Sequence, residues 1–267
     1  MVSEYLKHSR TLEELDEIFE KDRKAAAEVA ATILRHELKT ATTNISEINQ
    51  IAHARIVADS QVASAKIMTD AEVIATQITA KAEMAVLEVR NQTMDGSTNE
   101  DDRCGLIQEI SSIATSNISA SAEESIQKIK SQATKAIAEI SKSADEAIVE
   151  INSLYEGISE SISTNAEKAE KRLALKKKQK RTPKEVAKDA EAEARNIIHE
   201  AAEATKELRE TANTAVSTLK TKTDEAAKEI SESVKKSEAR IIKSRDDAFE
   251  RIESFVDAFG KGKKSSP

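Results

Sequence analysis

The sequence predicts an all-α chain of three long helices. Three observations carry that expectation: large aliphatic residues recur every eleven positions, turn-forming residues are scarce, and bulky core residues are nearly missing. The 267 residues include 5 Gly and 2 Pro, no Trp, and only 2% aromatics. So few Gly and Pro leave few turns, and so few large side chains cannot fill a thick core. Charged residues make up 33%, and Ala, Glu, Lys, Ile and Ser dominate. That composition suits long helices that each bury a narrow stripe.

The repeat is the main signal, and internal periodicity outranks local propensity in such a chain. Leu34, Ile45, Ile56, Ile67, Ile78 and Val89 form one ladder of elevens. Ile107, Ile118, Ile129, Ile140, Ile151 and Ile162 form a second. Val186, Ile197, Leu208, Leu219, Ile230, Ile241 and Ile252 form a third. Companion positions run beside them. Ala71 and Ala82, then Ala122, Ala133 and Ala144, then Ala201 and Ala212, follow a ladder residue by four. Ala204, Ala215, Ala226 and Ala248 follow by seven, Ile126, Ile137 and Ile148 by eight, and Val62, Val73 and Met84 by six. All of these are expected to share the packing stripe. Eleven residues in three turns is 3.67 per turn, so the stripe runs nearly straight along the helix with a weak right-handed drift. Ala lets two helix axes come close while Ile fills the space beside it. A single helix cannot hide such a stripe, so a partner helix or a surface is required.

In chain order, residues 1–11 read as a flexible lead-in. Thr11 followed by Glu14 is a capping box, which predicts a first helix over 12–90. The stretch 91–105 holds Gly96 and Gly105 among Asn, Asp, Ser and Thr, and reads as an acidic, Gly-containing turn. A second helix is expected over 106–176. A basic linker at 177–183 ends in Pro183, which breaks the preceding helix and suits the first turn of the next, with Thr182 as its cap. The third helix is expected over 184–259, with Gly260 as the stop and 260–267 as a basic tail. Near-equal helices with two breaks predict an elongated antiparallel three-helix bundle. The alternative is an extended coiled-coil rod, because Val89 to Ile107 is eighteen residues, an eleven plus a seven, which leaves the stripe nearly in phase. Ile162 to Val186 is twenty-four residues, which does not.

No pattern calls for catalysis. His8, His36, His53 and His199 lack metal-ligand spacing, and no phosphate-binding or nucleophile motif is present. Cys104 lies beside Asp101 and Asp102, which disfavour a thiolate. The expectation is a chain with no catalytic, cofactor or metal residues and no small-molecule substrate. One cysteine, no apolar run of membrane-spanning length and no signal-like start predict a soluble cytoplasmic protein.

Three candidate interaction sets remain. The helix-packing stripe itself is represented by Ile45, Ile56, Ile67, Ile78, Ile118, Ile129, Ile140, Ile151, Ile197, Leu208, Leu219, Ile230, Ile241 and Ile252. A basic cluster of Lys171, Arg172, Lys176, Lys177, Lys178, Lys180, Arg181 and Lys184 contains no acid, in a chain whose net charge is −7. It could meet an anionic partner, although no aromatics interleave it for base stacking. The aromatics Tyr5, Phe19, Phe249, Phe255 and Phe259 sit near the chain ends and are candidates for head-to-tail self-assembly.

The segment from Asp189 to Ala202, Asp-Ala-Glu-Ala-Glu-Ala-Arg-Asn-Ile-Ile-His-Glu-Ala-Ala, resembles the peripheral-stalk b subunit of rotary ATP synthases. That resemblance implies a mechanical role for an eleven-residue-repeat coiled coil, although the membrane anchor of that family has no counterpart here. The period is also similar to that of apolipoproteins, synucleins and late-embryogenesis-abundant proteins, which lack sustained Ile ladders.

The functional expectation is a non-catalytic structural coiled coil acting as scaffold, spacer or self-assembling filament, with itself as the first partner and another coiled coil as a second. One alternative is a peripheral protein that lays its stripe on an anionic membrane or organelle surface. Another is a nuclear or nucleic-acid-associated rod using the basic cluster.

Overall fold

The computed structural model describes residues 23–94, 100–175 and 184–261, and all of them are helical. Helix α1 spans Arg23–Met94, α2 spans Glu100–Leu175 and α3 spans Lys184–Lys261. The three helices pack as a three-helix bundle, so the extended rod is not the arrangement the chain adopts.

Several boundaries differ from the sequence expectation, and α3 runs through Gly260, the expected stop, to Lys261. Helix α1 runs on to Met94, and α2 already begins at Glu100, so most of the expected turn at 91–105 is helix. The acidic run Glu100-Asp101-Asp102, which reads as turn composition, opens α2, where negative charge is favoured by the helix dipole. Gly105 lies within α2, and no residue among those described has a positive φ. The expected lead-in and helix start over 1–22, and the linker at 177–183 with Thr182 and Pro183, lie outside the described residues.

The helices contribute to two compact units. The first combines residues up to Ala54 with Ser143–Lys222, and the second combines Arg55–Lys142 with Thr223 onward.

In the first unit, the core is a cluster of Ala27, Ala30 and Leu34 from α1, Ile162, Ala166 and Ala169 from α2, and Ala194, Ile197, Ala201 and Ala204 from α3. Each helix supplies one large residue and several alanines. Ile45, Ile151, Leu208 and Leu219 are also fully buried. Around the core, Arg35 bonds Glu200 at 2.7 Å, Asn165 Nδ2 donates to Glu37 Oε1 at 3.0 Å, and Arg209 Nε donates to the Tyr155 hydroxyl at 2.9 Å. Tyr155 meets Arg209 while Ile162, later in α2, clusters with Ile197, earlier in α3. Helices α2 and α3 are therefore antiparallel. The Arg209 guanidinium also lies 5.9 Å from the Tyr155 ring centroid, a cation–π distance.

In the second unit the register is legible bond by bond. Gln132 donates to Asp70, and Lys81 donates to Ser121. One eleven-residue step forward on α1 is one step back on α2, so this pair is antiparallel. Helices α1 and α3 are parallel, because bonded residues keep a near-constant separation. It is 169 for Ser60 and Glu229, 170 for Ile67 and Ser237, and 168 for Glu72 and Arg240. Ile56, Ile67, Ile78 and Val89 of α1 are buried together with Ile107, Ile118, Ile129 and Ile140 of α2 and Ile230, Ile241 and Ile252 of α3.

These bonds also show what each large residue faces. Ser237 Oγ donates to the Ile67 carbonyl, and Ala133 stands next to Gln132, the partner of Asp70. Ile67 therefore comes level with small residues on both neighbours. Large-against-small packing allows close helix axes without voids, and each fully buried Ile contributes roughly 1.5–3 kcal/mol of transfer free energy. In this unit, four of the small core positions are Ser60, Ser64, Ser233 and Ser237. The Ser60 hydroxyl reaches Glu229 Oε2 at 3.0 Å, and Ser233 donates to the Glu229 carbonyl at 3.0 Å. The buried Ser64 hydroxyl has no hydrogen-bond partner.

The expectation that Val62, Val73 and Met84 share the packing stripe is corrected. They are 68%, 51% and 61% exposed. On a helix of 3.67 residues per turn, a position six beyond the ladder lies about 130° round the axis, too far to reach the same neighbours.

Ile151→Ala in the first unit and Ile241→Ala in the second should each lower unfolding free energy by about 3 kcal/mol in denaturant melts, while Val62→Ala should change it by less than about 0.5 kcal/mol. The serines should separate by sign. Ser64→Ala removes an orphaned hydroxyl and should stabilise by about 1 kcal/mol, whereas Ser60→Ala removes a bonded one and should destabilise by about 1 kcal/mol.

Burial raises the Glu37 carboxyl above its ordinary value, with the Asn165 hydrogen bond and the His36 charge opposing. The folded acid thus holds its proton more tightly than the unfolded one. Its ionisation costs stability at neutral pH, and that cost is relieved as pH falls through the raised value. Glu37→Gln should therefore raise Tm at pH 7, with the gain vanishing as the pH drops below the ordinary 4.5.

Candidate functional site

The basic cluster falls at the end of α2 and the beginning of α3. Lys171 is exposed and pairs with Glu167 one turn earlier, at 3.4 Å. Such an exposed i,i+4 pair contributes only a few tenths of a kcal/mol. Arg172 lies in α2 and Lys184 opens α3. Lys176, Lys177, Lys178, Lys180 and Arg181 lie outside the described residues, so the structure brings no anion-binding geometry together there.

Of the aromatic set, Tyr5 and Phe19 lie outside the described residues, and Phe259 lies in the last turns of α3. Phe249 and Phe255 are half-buried on α3. The Arg245 guanidinium covers Phe249 at 6.0 Å from the ring centroid. Phe255 lines an open groove of about 900 Å³ between α1 and α3, in the second unit, with Val86, Leu87 and Ala258. The Arg251–Glu83 ion pair, at 3.6 Å, lies at the same groove. These two rings are thus engaged laterally on the α3 surface.

The residues named as the helix-packing stripe, from Ile45 to Ile252, are all buried. The unexpected surface is the other side of α1. Ile51, Val62, Val73 and Met84 repeat at elevens and all face solvent, with Ile51 at 71% exposure. Exposed Ala58, Ala65, Thr69, Thr76 and Ala80 lie between them, and exposed Leu87 extends the row. Steps of three and four place these residues on one face, and that face points away from the core. The Thr76 hydroxyl donates back to the Glu72 carbonyl, which satisfies it within the helix. The sequence contained the signal, since the six-residue offset is incompatible with the ladder face.

Cys104 is exposed. Among the described residues no cluster of His, Cys, Asp or Glu could hold a metal ion, and no helix is long and apolar enough to cross a membrane.

No family model matches the chain, and no curated protein does. The resemblance of residues 189–202 to the ATP synthase b subunit therefore gains no support. A solved structure described as a computationally designed three helix bundle superposes with a TM-score of 0.54 at 15% identity, over 94% of this chain and 100% of that one. At that identity the likeness is one of fold.

Proposed function

We propose that the chain is a non-catalytic structural element, a spacer or scaffold whose function is to hold a long helical surface in place. The carrying observation is that the ladder residues Leu34 to Val89, Ile107 to Ile162 and Ile197 to Ile252 are all buried against the chain's own helices. The stripe that needs a partner has one already, so the fold does not require a filament lattice or a lipid surface to form. Outside the buried ladders much of the helical surface is charged or polar, the uncharged row on α1 excepted. That surface suits a body other molecules attach to, because helices stiffened by packing within each unit hold attachment points at fixed spacing.

The lateral engagement of Phe249 and Phe255 favours the spacer over a filament grown through aromatic ends. Burial of the ladders likewise disfavours a peripheral membrane role through the same stripe, since lipid contact would require the bundle to open.

The discriminating measurement is circular dichroism at low micromolar concentration in plain buffer, with and without anionic vesicles. The expected result is high helicity and one melting transition, with neither helicity nor midpoint altered by vesicles. A coil that becomes helical only on vesicles would replace this reading with the lipid-surface one.

A further inference from the structure

We propose that the outer face of α1 is an interface for a second copy of this chain, packed antiparallel about a two-fold axis at Thr69. The proposal goes beyond the spacer reading but rests on it, since it takes the bundle as already folded in each copy.

The face is a second packing stripe. Within the second unit it reads Ala58, Val62, Ala65, Thr69, Val73, Thr76, Ala80, Met84 and Leu87, uncharged throughout and exposed throughout. It has the period of the buried stripe, a large apolar residue every eleven positions, with small residues three and seven after Val62 and Val73 where the buried stripe has them four and seven after its ladder residues. A surface helix ordinarily keeps charge on the face opposite its core. Here the charges stand on the flanks, and the opposite face is apolar for about 45 Å. Among helices, a straight stripe of this period is matched over such a length by one with the same period. The chain supplies one.

Two features select the second copy and its direction. The first is shape. With a two-fold axis at Thr69, Val62 comes opposite Thr76, Ala65 opposite Val73, and Ala58 opposite Ala80 of the other copy. Large residues meet small ones, as they do in the core. The second is charge. One flank of the stripe reads Arg55, Lys66, Gln77, Glu88 along the helix, positive at its beginning and negative at its end. An antiparallel two-fold sets this flank against the same flank of the other copy run in reverse, so its positive beginning lies beside its negative end. An isologous contact of this kind closes at two copies. A strip of these dimensions buries about 450 Å² on each copy, roughly 900 Å² in all, below the ~1,200 Å² of standard stable interfaces. The dimer is therefore weak, with a dissociation constant in the micromolar range or above.

The test is light scattering on the full chain over a concentration series into the hundreds of micromolar, with helicity measured in parallel. The parent should rise from the 29.2 kDa of one chain to twice that mass. Val62→Glu with Val73→Glu, at positions already facing solvent, should stay at one chain with unchanged helicity. In a Cys104→Ser background, Thr69→Cys should oxidise to a covalent dimer. Ala58→Cys should crosslink with Ala80→Cys in a mixture and not with itself.

A parent that remains one chain at every concentration, or that gains mass equally in the double Glu variant, overturns the interface. Crosslinking of Ala58→Cys to itself overturns the antiparallel geometry. Vesicle binding by a monomeric parent, lost in the double Glu variant, would reassign the face to lipid. Loss of helicity in the dilute parent would instead count against the self-contained bundle, which separates failure of the spacer reading from failure of this one.

Discussion

Everything in this structure depends on the contact between an isoleucine on one helix and small side chains on the other two. The contact is modest in area, yet it recurs every eleven residues, and eleven is nearly commensurate with three turns of an α-helix. The same face therefore returns to the same neighbours along helices of 72, 76 and 78 residues. Nothing else in the composition could hold such helices together. With hardly any aromatics to build thickness, a core that is thin and repeated is the only one available to this chain, and the alanines and serines make it thin enough.

The polar contacts follow from that geometry. Close axes bring side chains at the edges of the stripe within reach of each other, and the structure uses them in pairs across helices: Arg35 with Glu200, Lys130 with Glu238, Arg240 with Glu72. All are at least partly exposed, so each adds little to stability. Glu37 is half-buried and bonded to a neutral amide rather than a cation, with one carboxyl oxygen on Asn165 and the other without a partner. There the closeness that serves the isoleucines is unfavourable for a charge.

The fold was largely legible in the sequence because its cause is periodic. Ile67, Ile129 and Ile230 declare their burial by position alone, and two breaks between ladders of nearly equal length imply a chain that folds back on itself. What was illegible lacked that property. The helical character of 100–105 was hidden because acids that suit a turn also suit a helix beginning. The exposed row on α1 was readable in principle, since Val62 and Val73 recur at eleven, but recurrence alone does not say which side of the helix a row occupies. That requires the angle. The basic cluster was conspicuous in sequence and is only partly described by the structure, because charge content carries no geometry of its own.

A core built from one repeated contact has a hidden degeneracy. Slide α1 along its neighbours by eleven residues and most isoleucines again find small partners, so the apolar packing barely distinguishes the correct alignment from a shifted one. The features that do distinguish it are the ones that break the repeat. Asn165 finds Glu37 only in one alignment, Arg35 finds Glu200 only in one, and the Ser60 hydroxyl finds the Glu229 carboxylate only in one. A shifted bundle would strand these groups, some of them away from water. The polar irregularities that contribute least to holding the helices together are thus the ones that tell the helices where to stop.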